Sequence, residues 1–121
     1  MAKKILIVDD DQTGVKIIEA RLSKEGFEVF VAIDGDIGLG RAKEVIPDLI
    51  VLDIEMPRMN GYTFIQELHK IDTLKWTPVI VMTAHEDMQA TFEMQGIHEY
   101  LVKPVDFDAL LEKINTCLEI E

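Results

Sequence analysis

Cysteine is almost absent from the chain: Cys117 stands alone, so no internal disulfide can brace the fold. Its neighbours Leu111, Ile114 and Leu118 recur at helical spacing, which makes it a packed thiol on a late amphipathic helix rather than a nucleophile. Redox chemistry is not expected. Long apolar runs are also missing. The stretch from Ile5 to Val8 is far too short to cross a bilayer, and the N-terminus has no basic-then-apolar pattern ending in small residues. The expectation is a cytoplasmic protein with no membrane contact. Basic residues are outnumbered, 12 against 23 acidic ones, for a formal net charge of −11. Most of such a surface repels phosphate backbones, so direct nucleic-acid binding is not expected either. Internal repeats, low-complexity tracts and Pro/Gly/Ser-rich linkers are lacking, and Glu121 follows the last helical pattern almost directly. With 121 residues, 48% of them hydrophobic, the chain is expected to form one domain over 1–121, with no effector domain.

What is present is an alternation of two patterns. Short apolar runs rich in β-formers lie at Lys4 to Val8, Glu28 to Ala32, Leu49 to Leu52, Pro78 to Met82 and Glu99 to Val102, each followed by a stretch with helical spacing. Val15, Ile18 and Leu22 form the first apolar stripe, ending at Gly26; Leu39, Ala42 and Ile46 form the second, stopped by Pro47. Ile65, Leu68 and Ile71 mark a third, and Leu110, Leu111, Ile114 and Leu118 a fifth. Met88 and Phe92 give the fourth only weak periodicity. Strands one, three and four are nearly continuous Ile, Val and Leu, as expected where helices cover both faces of a parallel sheet, whereas strand two alternates and belongs at an edge. Five βα units with right-handed crossovers point to a doubly wound α/β fold, whose ligand sites lie outside the carboxyl ends of the strands.

Those ends carry chemistry. Asp9, Asp10 and Asp11 follow strand one, Asp53 follows strand three, Thr83 strand four, and Lys103 with Pro104 strand five. Carboxylates gathered together raise one another's pKa unless a cation neutralises them, and a hard divalent ion does this well. An acidic pocket beside a lysine and a hydroxyl suits phosphoryl transfer, with aspartate as an available nucleophile. Each residue alone has a plainer reading: Asp11 as a helix cap, Thr83 as a strand-end hydroxyl, Lys103 as a solvated charge. Their convergence at four strand ends favours a site.

Four segments in order, ILIVDDD, LIVLDIEMPRMNGY, VIVMTAH and EYLVKP, resemble the signatures of receiver domains of two-component response regulators, of the chemotaxis-regulator-like kind, over nearly the whole chain. The resemblance implies a flavodoxin-like five-stranded parallel sheet of order 2-1-3-4-5 with five helices. It implies phosphorylation at Asp53. Asp10 and Asp53 would bind Mg²⁺, with Mn²⁺ as a substitute, through their side chains, Glu55 through its backbone carbonyl, and Asp9 through a bound water. Lys103 and the Ala84 backbone would contact the phosphoryl oxygens, and Lys103–Pro104 would be a cis peptide. Thr83 corresponds to the family's switch hydroxyl and Tyr100 to its paired aromatic. Such a protein is not a turnover enzyme; it catalyses only its own phosphorylation and dephosphorylation. The implied partners are a sensor histidine kinase or histidine phosphotransfer protein and an unidentified downstream target, the latter reached through a face made by the fourth helix, fifth strand and fifth helix. A weak homodimer on phosphorylation is within the family's range.

Some features depart from the pattern. The stretch from Thr83 to Gly96 is short for the family, Ile97 replaces a usual small residue and Val105 a usual aromatic. Met56, Pro57 and Gly61 match the loop after the phosphorylation site. Glu55 and His85, each two residues beyond a site residue, occupy positions that in this family set the phosphoryl lifetime. His69 and His98 are expected on solvated surface. Gly35, Gly38 and Gly40 do not form G-x-G-x-x-G and are expected merely to weaken the second helix; with an acidic first loop, this argues against a flavin or nucleotide module. Asp9, Asp11 and Thr13 fit the D-x-D-x-T opening of haloacid dehalogenase phosphatases, but no cap segment follows, and Asp53 would have no role there. A degenerate scaffold receiver is disfavoured by the intact Asp10, Asp53, Thr83 and Lys103.

Overall fold

The computed structural model describes residues 2–56, 58–94, 97 and 99–119; Pro57, Gly96, His98 and Glu121, each named above, lie outside them. Strands β1 (Lys4–Val8), β2 (Glu28–Ala32), β3 (Leu49–Asp53), β4 (Val79–Thr83) and β5 (Tyr100–Val102) alternate with helices α1 (Gln12–Lys24), α2 (Gly35–Val45), α3 (Gly61–His69), α4 (Gln89–Met94) and α5 (Phe107–Cys117). All neighbouring strands pair in parallel, in the order β2-β1-β3-β4-β5. This is the doubly wound order expected, with β2 at an edge.

Alternate residues of the central strands feed two cores, as the two-residue period of a strand requires. Ile5, Ile7, Leu49 and Val51 pack with Leu22 of α1 and Leu110 and Ile114 of α5. Leu6, Val8, Ile50 and Leu52 pack on the other face with Ala42 of α2 and Phe64 and Leu68 of α3. Burial on both faces explains why these strands read as unbroken apolar runs.

Several boundaries differ from the sequence reading, and the ladder explains them. β3 runs on to Asp53 and β4 to Thr83, because Asp53 pairs with Met82 and Thr83 with Val102. The nucleophile candidate and the hydroxyl are therefore the last strand residues, not the first loop residues. Ile46 lies outside α2: it is the left-handed C-cap at φ 49° and is half exposed, so it does not complete an apolar stripe. α4 spans only six residues, with Phe92 fully buried, which accounts for its weak periodicity. Ile97 is buried against Phe92, Val81 and Ile54.

The glycines of α2 do more than weaken it. A Cβ on Gly38 would stand 3.0 Å from both Phe64 and Val8, and one on Gly35 2.9 Å from the Met59 side chain, whereas Gly40 faces open space. Gly38 lets α2 approach β1 and α3, and Gly35 lets its first turn approach Met59 in the loop before α3, which corrects the reading of them as mere defects.

Candidate functional site

Each site residue is held by the backbone that delivers it. The Asp9 amide donates to the Ala32 carbonyl (3.1 Å), prolonging the β1–β2 ladder by one residue. Asp11 caps α1, its carboxylate accepting the Gly14 amide at 3.3 Å, so the first loop runs straight into a helix with no room for an inserted cap. The Ile54 amide bonds the Met82 carbonyl (3.0 Å) and the Lys103 amide the Thr83 carbonyl (2.7 Å), tying together the ends of β3, β4 and β5. The Lys103–Pro104 peptide is cis.

The side chains converge. Asp9, Asp10 and Asp53 offer carboxylate oxygens that all lie within 4.8 Å of one another, Asp9 and Asp53 buried and Asp10 exposed. Lys103 Nζ sits 3.1 Å from Asp9 Oδ2 and 3.3 Å from Asp53 Oδ2. The second oxygens are held by main-chain donors: Asp9 Oδ1 accepts the Asp11 amide (2.9 Å) and Asp53 Oδ1 the Glu55 amide (3.0 Å). Burial pushes the Asp9 carboxyl above its ordinary pKa; the Asp11 amide and Lys103 pull it down, and Asp53 adds to the rise. Burial works against the Lys103 charge, yet Asp9 and Asp53 outweigh it and raise the ammonium above its usual range. The lysine therefore stays charged and is shared by Asp9 and Asp53, while Asp10 adds a third carboxylate to the cluster. This all-oxygen set with a surplus of negative charge fits a hard divalent cation.

Beside this cluster, Thr83 is fully buried and its hydroxyl donates to Glu55 Oε1 (2.9 Å). The Ala84 amide donates to the same oxygen (2.7 Å), and His85 Nε2 lies 2.9 Å from Oε2. The Ala84 amide leads in holding the Glu55 carboxyl below its usual pKa, against partial desolvation, with Thr83 and His85 contributing. Sequence reasoning assigned Glu55 a role through its carbonyl and placed His85 two residues past Thr83; it missed the pairing of their side chains. A carboxylate at one of those positions and an imidazole at the other were the available signal. Tyr100 is half-buried, its ring edge-on to Phe92 at 5.0 Å, and Phe92 reaches Tyr62 of α3 at 6.3 Å. His69 is exposed, as expected.

A five-stranded 2-1-3-4-5 sheet with clustered aspartates, a hydroxyl and a lysine at its carboxyl edge defines a receiver-type α/β domain. The profile of the response regulator receiver domain matches residues 5–115, and the chain belongs to that family. It is similar to the protein PilH of Pseudomonas aeruginosa, 38% identical over 117 residues that cover 95% of this chain and 97% of that one. It is also similar to the response regulator PleD of Caulobacter vibrioides, 34% identical over 118 residues, 96% of this chain but only 26% of PleD. Among solved structures, the chemotaxis protein CheY4 of Vibrio cholerae superimposes with a TM-score of 0.89 at 28% identity, covering 97% of this chain and 99% of that one. Receiver domains are phosphoacceptors of two-component signalling rather than turnover enzymes. Among the described residues, no helix is long and apolar enough to cross a membrane.

Proposed function

We propose that this receiver takes a phosphoryl group on Asp53 from the phosphohistidine of a sensor kinase or histidine phosphotransfer protein. The observation that carries this is the setting of Asp53: a buried carboxylate at a strand end, oriented by the Glu55 amide and facing the Lys103 ammonium. Main-chain and lysine donors fix the carboxylate before any donor arrives, so little reorganisation remains for the reaction. As the Asp53 oxygen bonds to phosphorus, the P–N bond breaks and the imidazole leaves with the bonding pair. Lys103 offsets charge on the transferring oxygens, and Thr83 and Ala84 supply a hydroxyl and an amide for the product. Asp9, Asp10 and Asp53 with the Glu55 carbonyl would hold Mg²⁺ or Mn²⁺. When bound, the cation would supply charge neutralisation for phosphoryl transfer.

An open depression of about 480 Å³ beside the cluster, lined by Ile17, Ile18, Met82, Pro104 and Val105 with Lys103, offers an apolar seat for the donor protein. Output would pass from Thr83 to Tyr100 and change the affinity of the α4–β5–α5 face for a protein target, since a modification shifts only states it stabilises unequally. The setting is cytoplasmic, and the domain's own chemistry is limited to gaining and losing the phosphoryl group.

The test is phosphoryl incorporation from acetyl phosphate with and without Mg²⁺, in the wild type and in Asp53→Asn. Metal-dependent labelling lost in the variant supports the reading; no labelling under any condition rejects it in favour of a scaffold. Sustained hydrolysis of a generic phosphate ester that survives Asp53→Asn would instead point to a phosphatase.

A further inference from the structure

Glu55 enters the reading above only through its main chain, yet both oxygens of its carboxylate are engaged. Oε1 takes the Thr83 hydroxyl at 2.9 Å and the Ala84 amide at 2.7 Å, and Oε2 meets His85 Nε2 at 2.9 Å. All three partners are consecutive residues at the end of β4. The Thr83 oxygen in turn accepts the His85 amide at 3.1 Å, so the hydroxyl both donates and accepts and its single proton is committed to Glu55. A buried hydroxyl without an acceptor is costly, and Glu55 meets that need in the unphosphorylated chain.

A phosphoryl oxygen asks for the same things: a hydroxyl and a main-chain N–H, each giving a charge-assisted bond. Thr83 has one hydroxyl proton to give and Ala84 one amide proton. Two anions cannot both hold them. The Glu55 amide is tied to Asp53 Oδ1 at 3.0 Å, so residue 55 cannot drift from the nucleophile. Its side chain, 37% exposed, can swing into solvent without opening either core.

We propose that the Glu55 carboxylate is an internal stand-in for the phosphoryl group: it occupies the Thr83 and Ala84 donors, is steadied by His85, and must be displaced for the phosphorylated state to form. This rests on Asp53 being the phosphoacceptor and deepens that reading by naming a competitor for the same donors. Glu55 is a positioning residue here, acting through Thr83 and Ala84. The chemistry is reciprocal, since whatever loosens Glu55 favours the phosphoryl group and the phosphoryl group releases Glu55.

The experiment uses the full chain at fixed pH, as wild type, Glu55→Gln and Glu55→Ala. Both substitutions leave the main-chain carbonyl and amide in place, and Glu55→Gln keeps the shape should Glu55→Ala perturb folding. Three readouts are taken: labelling by acetyl phosphate with Mg²⁺, affinity for beryllofluoride as a phosphoryl mimic, and the Ala84 amide resonance without either. The expected result is beryllofluoride binding about fivefold tighter in both variants, as for loss of a competing charge-assisted contact at a partly exposed site. Labelling is expected to be faster, and the Ala84 amide to move upfield before any phosphoryl analogue is added. Introducing Thr83→Ala should shrink the gain, whereas simple removal of a repelling charge would leave it unchanged. Wild-type labelling with no gain in either variant overturns the stand-in while leaving the phosphoacceptor reading intact. An Ala84 resonance indifferent to residue 55 overturns it as well. Absence of labelling in the wild type and both variants rejects the phosphoacceptor reading itself, and the stand-in with it.

Discussion

Gly61 lies directly against Ile54: its amide donates to the Ile54 carbonyl at 3.0 Å, and a Cβ added to it would fall 2.7 Å from the Ile54 Cα and 2.5 Å from its Cδ1. This contact closes the loop that leaves β3 after Asp53 and sets where α3 begins. Because one obstructing atom is backbone, the clash cannot be relieved by a rotamer change. Gly61→Ala is expected to destabilise the fold by about 1–3 kcal/mol, the usual range for overpacking. A urea titration showing an unchanged midpoint would refute it. Gly40→Ala, which faces open space on the exposed side of α2, is the control and should be neutral or stabilising.

Lys103 neutralises Asp9 and Asp53 together. In Lys103→Met these buried carboxylates lose their shared cation, and metal-free stability should drop by about 1–3 kcal/mol, the cost of leaving such groups unmatched. Mg²⁺ should then stabilise the variant more than the wild type, because it meets more uncompensated charge. Thermal melts with and without the cation measure both quantities, and a smaller metal response in the variant would contradict the account.

Asp10 contributes an exposed carboxylate to the acidic cluster. Asp10→Asn removes one negative charge without disturbing the core, so the metal-free midpoint should hold or rise slightly. Its rise with added Mg²⁺ should be much reduced. For scale, a ligand at one hundred times its Kd stabilises a fold by about 2.7 kcal/mol. An undiminished metal response in Asp10→Asn would remove Asp10 from the ligand set.

Asp9 gives a pH dependence with a definite sign. Burial raises its pKa in the folded protein above the unfolded value of about 3.9. Its contribution to stability is thus fully present below that value and is lost as the pH rises through the folded-state pKa. Without divalent cation, the stability of wild type relative to Asp9→Asn should therefore decline as pH rises from about 4. Lys103, also raised, opposes this only in that its own favourable contribution persists until strongly alkaline pH. Melting curves of both proteins in chelator across the acid range provide the check, and a relative gain for wild type on raising the pH would overturn the assignment.

Much of this was readable in the sequence because strands buried on both faces leave no ambiguity: the runs ending at Val8 and Leu52 are apolar without interruption. The convergence of Asp9, Asp10, Asp53 and Lys103 was readable because strand order sends every carboxyl end to one edge. What escaped was non-local. The bonds from Thr83 and Ala84 to Glu55 span 28 and 29 residues, and no periodicity reports them. Gly38 was misjudged for the same reason, since Phe64 and Val8, which require its lack of a side chain, lie on other elements. α4 was faint because six residues hold too few turns to display a face.

The ladder bonds from Ile54 to Met82 and from Lys103 to Thr83 carry the sheet past its last side chains, so Asp53, Thr83 and Lys103 stand on one stiff plate. A plate of this kind does not convey a message by bending. If Asp53 takes a phosphoryl group as proposed, the response would fall to a few torsions, those of Thr83, Glu55 and Tyr100 among them, and torsions rest only in discrete wells. A response of that kind would be digital: side chains would click between settings, while the frame beneath them stays still.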